Sequence, residues 1–346
     1  MAFDNAEEVA PVTYEELAEI EREFDDLDTE IIRKQYHLSK DAYARRKAVL
    51  SKIPKFWPLV LEAAPPEIDR YIQPTDSEIF AECLTGIEVD RFELAGDTSR
   101  DTGGTAGDPR SISIAFEFSE NQWFTDKALV KQFWWRRASD GWAGLVSEPV
   151  RVHWKKGKDP TKGLMEGAVK LWEARQSAGD MRKRDIPEFD AMAKITETWN
   201  GDNTSFFTWF AFVSSRRWVS AEESAAAVKA EAHRRNGVKE DSDKPQDELP
   251  EEDQLEGQVE AHEDGDGLAT VIAEDLWPGA IRYFTQAQEN AELSDDSFEE
   301  DDDDDDTGDE EDQPEDTHVN IRQLIAGDGI QDDSHGDQPP RKKKRV

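Results

Sequence analysis

Sixteen carboxylates and not one lysine or arginine lie between Asp295 and Asp316, and Asp301, Asp302, Asp303, Asp304, Asp305 and Asp306 form an unbroken run. Carboxylates can do two kinds of chemistry. A buried pair with split pKa values works as general acid and base; a crowded, solvated run holds cations. This run has almost nothing apolar to bury and its charges repel, so it reads as a flexible polyanion on a tether. Such a segment steers and holds polycationic partners; the plain alternative is a solubility tail. Other reactive patterns are missing: the chain has no Gly-rich phosphate loop, no Cys/His metal spacing and no nucleophile elbow. Its six histidines are scattered (His37, His153, His233, His262, His318 and His335), with only His153 and His37 expected in ordered structure. His153 alternates to the polar side of an apparent strand and reads as a surface residue. The expectation is a protein that is not an enzyme and requires no cofactor or metal.

The charge is unevenly spread along the 346 residues, which carry a formal net charge of −37. Residues 285–340 hold 22 acids and one base, Arg322, and residues 239–266 hold 13 acids and two lysines. All eleven tryptophans lie outside these two stretches. About 250 residues therefore have the composition of a folded core. Charge of this sign argues against naked DNA or an anionic membrane as the principal ligand. No stretch approaches the roughly 18 apolar residues of a membrane span, and the first ten residues lack the basic and apolar regions of a signal peptide. Cys83 is the only cysteine, so no internal disulfide can form, as expected of a reducing compartment. Asn203-Thr204-Ser205 fits the glycosylation pattern but reads more simply as a helix start.

Residues 13–53 contain no Gly or Pro and predict one long helix. Leu17, Ile20, Phe24, Leu27 and Ile31 recur at 3-4 spacing, and Leu38 and Val49 follow with weaker steps. Acids weight the start and bases the end, which complements the helix dipole. About 40 residues make a rod of about 60 Å, longer than a small domain is wide. The stripe then needs a second copy in a coiled-coil-like pair; a helix lying along its own core is the alternative. Pro54 ends the helix. Short helices are expected at Trp57–Ala63, Pro66–Ile72 and Thr75–Leu84, the last with Thr75 and Glu78 in capping-box spacing.

The period then changes to two. Ser111–Phe118 places Ile112, Ile114, Phe116 and Phe118 on one face, and Val150, Val152 and Trp154 alternate with Arg151, His153 and Lys155. Ile87–Leu94 and Leu129–Trp135 are further strand candidates, and Asp140-Gly141 is a turn signal between the last pair. Four strands with one apolar face predict an antiparallel sheet under a helical cover. The cover is expected from an aromatic helix start at Phe206–Phe210, behind Ser205, from Ala221–Arg235 and from Val271–Phe284. Gly96–Pro109 reads as a loop, and no internal repeat is found.

In this order, Ile53-Pro54-Lys55-Phe56-Trp57, Trp154-Lys155-Lys156-Gly157-Lys158-Asp159-Pro160-Thr161-Lys162, Phe206-Phe207-Thr208-Trp209-Phe210, Glu274-Asp275-Leu276-Trp277-Pro278 and a polyacidic tail resemble the nucleosome assembly protein family, in its SET (template-activating factor) branch. The likeness covers about residues 13–285. It implies an α+β fold: a dimerisation helix (13–53, after a disordered 1–12), an earmuff domain (54–284) with a four-stranded sheet, a disordered acidic tail (285–340) and a basic end (341–346). The acidic stretch 239–267 looks like a disordered insertion, and 164–203 is longer and less basic than the family pattern.

The resemblance further implies a homodimer joined through Leu17, Ile20, Phe24, Leu27, Ile31 and Leu38, and a chaperone for core histones, H3–H4 and/or H2A–H2B. By family position Glu274 and Asp275 are candidate histone contacts, with Glu222 and Glu223 weaker ones; each is equally readable as a solvated helix face. Asp301–Asp306 would add the flexible charge. Ser297, before Phe298-Glu299-Glu300, suits an acid-directed kinase. Arg341, Lys342, Lys343, Lys344 and Arg345 look like a nuclear import signal or a clasp on the acidic tail; the location implied is the nucleus, with shuttling to the cytoplasm. Rival readings are an inhibitor of a protein phosphatase, a targeting subunit for a histone acetyltransferase, and an acidic scaffold without histone preference. The role of Val319–Ile330, a small apolar island, stays unassigned.

Overall fold

The computed structural model describes residues 12–94, 107–198, 204–235 and 256–299. The expected loop at Gly96–Pro109 falls almost wholly outside the described residues, as do the 1–11 stretch, most of the acidic insertion, Asp301–Asp306, Val319–Ile330 and Arg341–Arg345.

The first element is the long helix α1, Tyr14–Leu50. Thr13 starts it with a reciprocal cap: the Glu16 amide donates to the Thr13 hydroxyl at 3.2 Å and the Thr13 amide to the Glu16 carboxylate at 3.0 Å. Its final turn closes on Ser51, three residues before Pro54, where the pre-proline position disfavours helix. The two halves of α1 have different surroundings. Toward the C-terminus, Tyr36 donates to Asp90 at 2.9 Å, Lys47 pairs with Glu88 and Glu117 at 3.3 and 3.1 Å, and Leu50 is buried. Toward the N-terminus the apolar residues have no cover: Leu17, Ile20, Phe24, Leu27, Ile31 and also Leu38 are between 51% and 85% exposed.

Helices α2 (Phe56–Glu62), α3 (Pro66–Asp69) and α4 (Pro74–Cys83) follow, α2 and α4 one residue earlier than expected and α3 starting at Pro66 as expected but ending three residues sooner. The cap of α4 is not the Thr75–Glu78 pair. Gln73 and Asp76 form it instead, because Pro74 takes the first helical position, where its missing N–H costs nothing.

Strands β1 (Leu84–Asp90), β2 (Ile112–Phe118), β3 (Ala128–Arg137) and β4 (Ala143–Ser147) form one antiparallel sheet in the order β1-β2-β3-β4. Ile87 faces Phe116, and Phe116 faces Leu129. These residues, with Ile114 and Phe133, make the buried face, packed on Phe80, Phe206, Phe207, Trp209 and Phe210. The fourth strand differs from expectation. Val150, Val152 and Trp154 are not in the sheet: Val150 bonds to the Phe210 carbonyl at 2.8 Å and Trp154 bridges Phe124 alone. The Asp140-Gly141 turn, with Gly141 at φ 93°, folds the chain straight back so that the unremarkable Ala143–Ser147 pairs with β3.

On the buried face of β3 stands a charged residue, Lys131, with no exposed surface. Its Nζ donates to the carbonyls of Glu148, Phe210 and Phe212 at 2.7, 3.0 and 2.6 Å. Burial pushes its pKa well below the usual lysine value. The lysine thus supplies donors to three interior carbonyls, of which that of Phe210 also accepts from the Val150 amide.

The helical cover comprises α5 (Leu164–Ala178), α6 (Pro187–Thr198), a short 3-10 helix at Phe206–Ala211, α7 (Ala221–Arg235), α8 (Gly265–Val271) and α9 (Ala280–Glu299). Ser205 caps the 3-10 helix by accepting from the Phe207 amide at 3.2 Å. Asp76 accepts from the Ser205 hydroxyl (2.6 Å) and from the amides of Phe206 (2.7 Å) and Gln73 (3.0 Å), so one buried carboxylate pins two helix starts together.

Three further expectations are corrected. The acidic insertion 239–267 is ordered in its last part: Glu256 accepts from Arg175 at 2.9 and 3.0 Å, and Ala261 and His262 are buried. The Trp209 indole donates to the Gly265 carbonyl at 2.8 Å, and a Cβ on Gly265 would stand 2.2 Å from the Phe212 ring, so only glycine lets this segment lie on the core. Val271–Phe284 is not one helix; a π-helical turn, Ile272–Leu276, and Pro278-Gly279 separate α8 from α9. The acidic tail does not begin as coil at 285, because α9 carries helical backbone through Glu299, Ser297 included.

Candidate functional site

The π-helical turn holds two carboxylates forward. Its closing bond runs from the Trp277 amide to the Ile272 carbonyl at 2.9 Å, and the Gly279 amide donates to the Asp275 carbonyl at 2.9 Å. Widened turns of this kind recur at functional sites. Glu274, half exposed, pairs with Arg91 at 3.3 Å just beyond the end of β1. Asp275, also half exposed, accepts from Arg282 at 2.8 Å and from the Tyr283 hydroxyl at 2.5 Å. Both keep solvent-facing surface while their directions are fixed from the side.

The turn is seated by Trp277. Its indole donates to the Ile87 carbonyl of edge strand β1 at 3.0 Å, and its ring lies 4.2 Å from Tyr43 of α1. Arg46 sits over both rings, 4.6 Å from the centroid of Tyr43 and 4.4 Å from that of Trp277, and Nη1 donates to the carbonyls of Trp277 and Pro278 at 2.7 and 3.1 Å. Burial lowers the Arg46 pKa from its ordinary value. Neither Arg46 nor Arg91 is a candidate from sequence. The usable signal is the Tyr43-x-x-Arg46 spacing, which puts both side chains on one helix face.

Glu222 and Glu223 stand elsewhere, at the start of α7, which packs against β3. Glu222 is exposed. Glu223 is held by Arg217 at 2.6 and 3.1 Å and lies 3.7 Å from Arg182; the Arg217 bonds push its pKa down. The four acids proposed as contacts are therefore two separate pairs, one beside the end of β1 and one on the helix packed against β3. Ser297 lies in the last turns of α9.

Two clefts of about 240 and 380 Å³ flank the ordered 256–262 strap. Arg175, Trp172 and Trp218 line the first, and Tyr71, Glu260 and His262 the second. Burial pushes the His262 pKa down to about 4 and that of Glu260 up to about 7, the latter helped by Asp266 and Glu263. His262, expected in an unfolded stretch, is thus a neutral core residue, while His153 is exposed and bonded to Asp126 at 2.8 Å. Among the described residues no group of three or more His, Cys, Asp or Glu side chains could hold a metal, and no helix is long and apolar enough to cross a membrane.

Residues 4–287 match the family model of the nucleosome assembly protein (NAP). The chain belongs to that family. A protein of Schizosaccharomyces pombe named as a nucleosome assembly protein is 35% identical over 160 residues, 43% of this chain; the chain spans 60% of that relative's length. NAP1-related protein 2 of Oryza sativa subsp. indica is 25% identical over 282 residues, 82% of this chain and 77% of its own. The crystal structure of Ccp1 aligns at 25% identity and TM-score 0.46, covering 80% of this chain and 95% of that one.

Proposed function

We propose that this protein is a histone chaperone: a homodimer paired through α1 that shields core histones, H3–H4 and/or H2A–H2B, from non-productive contact with DNA and promotes nucleosome assembly and disassembly. The observation that carries this reading is the family match over residues 4–287. Charge and shape support it. Sixteen carboxylates between Asp295 and Asp316 offer a polyanion that competes with DNA for histone lysines and arginines. Glu274 and Asp275 offer a fixed acidic point that could orient what the tail captures. Glu222 remains a weaker candidate, and Glu223 weaker still because two arginines already hold it. The exposed stripe from Leu17 to Leu38 suits a second copy. The basic end Arg341–Arg345 suits nuclear import, and Ser297 suits a kinase that would deepen the acidic field.

The test is competition at physiological salt. Full-length chain and a form ending at Glu299 are titrated into DNA mixed with H3–H4 or H2A–H2B. The cut falls after Glu299 because α9 must stay whole: Phe284 stacks on Phe56, 4.8 Å between centroids, and Ala287 is buried. The full chain is expected to clear non-nucleosomal histone–DNA complexes. The shortened form should do so about tenfold less well and with a shallower salt dependence, while still sedimenting as a dimer. No clearance by either form would remove the chaperone reading.

A further inference from the structure

We infer that Arg46 is a positioning residue that fastens the acidic turn to the long helix, so that the direction of α1 sets where Glu274 and Asp275 present their charge. The inference rests on the reading of those two carboxylates as a histone contact. It begins from the chemistry of the turn. A π-helical segment that stops at Trp277-Pro278 leaves carbonyls at its C-terminal end without intrahelical donors. Pro278 has no amide hydrogen and cannot continue the ladder. Arg46 reaches across from α1 and donates to the carbonyls of Trp277 and Pro278 at 2.7 and 3.1 Å. A cation at a helix C-terminus also meets the negative end of the dipole.

Flatness matters as much as charge. The guanidinium lies over Tyr43 and Trp277 together, and the two rings are themselves in contact at 4.2 Å. A planar cation on aromatic faces with two carbonyl acceptors at its edge has one orientation; a lysine ammonium would keep the charge but not the stacking. The same Trp277 is bonded to the edge strand through Ile87. Arg46, Tyr43, Trp277 and β1 therefore form a continuous contact from the long helix to the turn, and Glu274 and Asp275 lie three and two residues from the anchored indole. Neighbouring Lys47 makes a different tie, to Glu88 and Glu117 of the sheet, so α1 stays docked when Arg46 is changed.

The test is a double-mutant cycle in the full-length chain, read as affinity for labelled H3–H4 and H2A–H2B. In the wild-type background E274Q/D275N is expected to weaken binding about tenfold; in the R46A background the same pair should cost less than about threefold, because the carboxylates are no longer aimed. R46K should restore part of the difference. Equal fold-losses in both backgrounds, even with a lower unfolding midpoint for R46A, would mean that Arg46 only stabilises the fold, and would overturn the inference. If E274Q/D275N costs nothing in the wild-type background, the contact reading itself fails; that arm alone separates the two failures.

Discussion

Glutamate at both Phe24 and Leu27 is expected to leave the protein monomeric in sedimentation velocity, at concentrations where the wild type is expected to sediment as the proposed dimer. In one chain these side chains are 61% and 57% exposed, in the middle of a stripe of similar residues at 3-4 spacing. Burying a side chain of this size against a partner is worth about 2 kcal/mol, and each dimer contains two copies of each. A carboxylate in an apolar seam carries its own desolvation cost, and like charges would face one another. Together these terms weaken association by at least about a thousandfold. The helix itself should survive, because glutamate is a good helix former and the docked half from Tyr36 to Leu50 is untouched. A variant that stays dimeric would place the interface somewhere other than α1. The monomer also separates pairing from capture: it should keep the tail's affinity for histones and lose whatever two acidic turns acting together contribute.

Removing the Asp76 carboxylate is expected to be the most destabilising single change in the core. Asp76→Ala leaves the Ser205 hydroxyl and the amides of Phe206 and Gln73 without their acceptor, in a site with no solvent. Stranding buried donors costs about 1–3 kcal/mol each, so a loss of about 3 kcal/mol in urea unfolding is a conservative expectation. The pH dependence has an unusual sign. Burial raises the Asp76 pKa from an ordinary 3.8 to about 6, against the three hydrogen bonds that favour the anion. In that window the unfolded chain has released this proton and the folded one still holds it, so stability contributed by Asp76 falls as pH rises. The gap between wild type and Asp76→Ala should therefore narrow from about pH 4 to about pH 6. A gap that widens with pH would show that the hydrogen bonds outweigh burial.

Periodicity carried most of the architecture. The 3-4 stripe of α1 and the alternation in Ile112–Phe118 each have one physical cause, a face that must be covered, and both elements appear where they are expected. The failures have causes too. Val150–Trp154 alternates as a strand would, yet the short hairpin at Asp140-Gly141 closes first and gives β3 a different partner, Ala143–Ser147. Lys131 interrupts the apolar face of β3, and only the three carbonyls around it explain why a charge belongs there. The end of the acidic insertion looked too polar to fold, but Arg175 neutralises Glu256 and Gly265 allows close approach to Phe212. At the candidate site the acids Glu274 and Asp275 were legible as charge beside Leu-Trp-Pro. Their supports, Arg46 and Arg91, were not, because Arg46 lies 231 residues from Trp277 and Arg91 lies 183 residues from Glu274 in the chain.

Among the described residues, contacts tie helix α1 to the body at Arg33, Tyr36, Arg46, Lys47 and Leu50. The stretch from Tyr14 to Arg33 spans about 28 Å, at about 1.5 Å per residue. A tilt of about 5° at the mount displaces its tip by about 2.5 Å on that rise, close to half the pitch of a helical turn. In the proposed dimer, mating two such helices demands stiffness at the root more than adhesion along the span. The clamps at Tyr36, Arg46 and Lys47 bear on how well the far end finds its counterpart, although none of them lies on the exposed stripe.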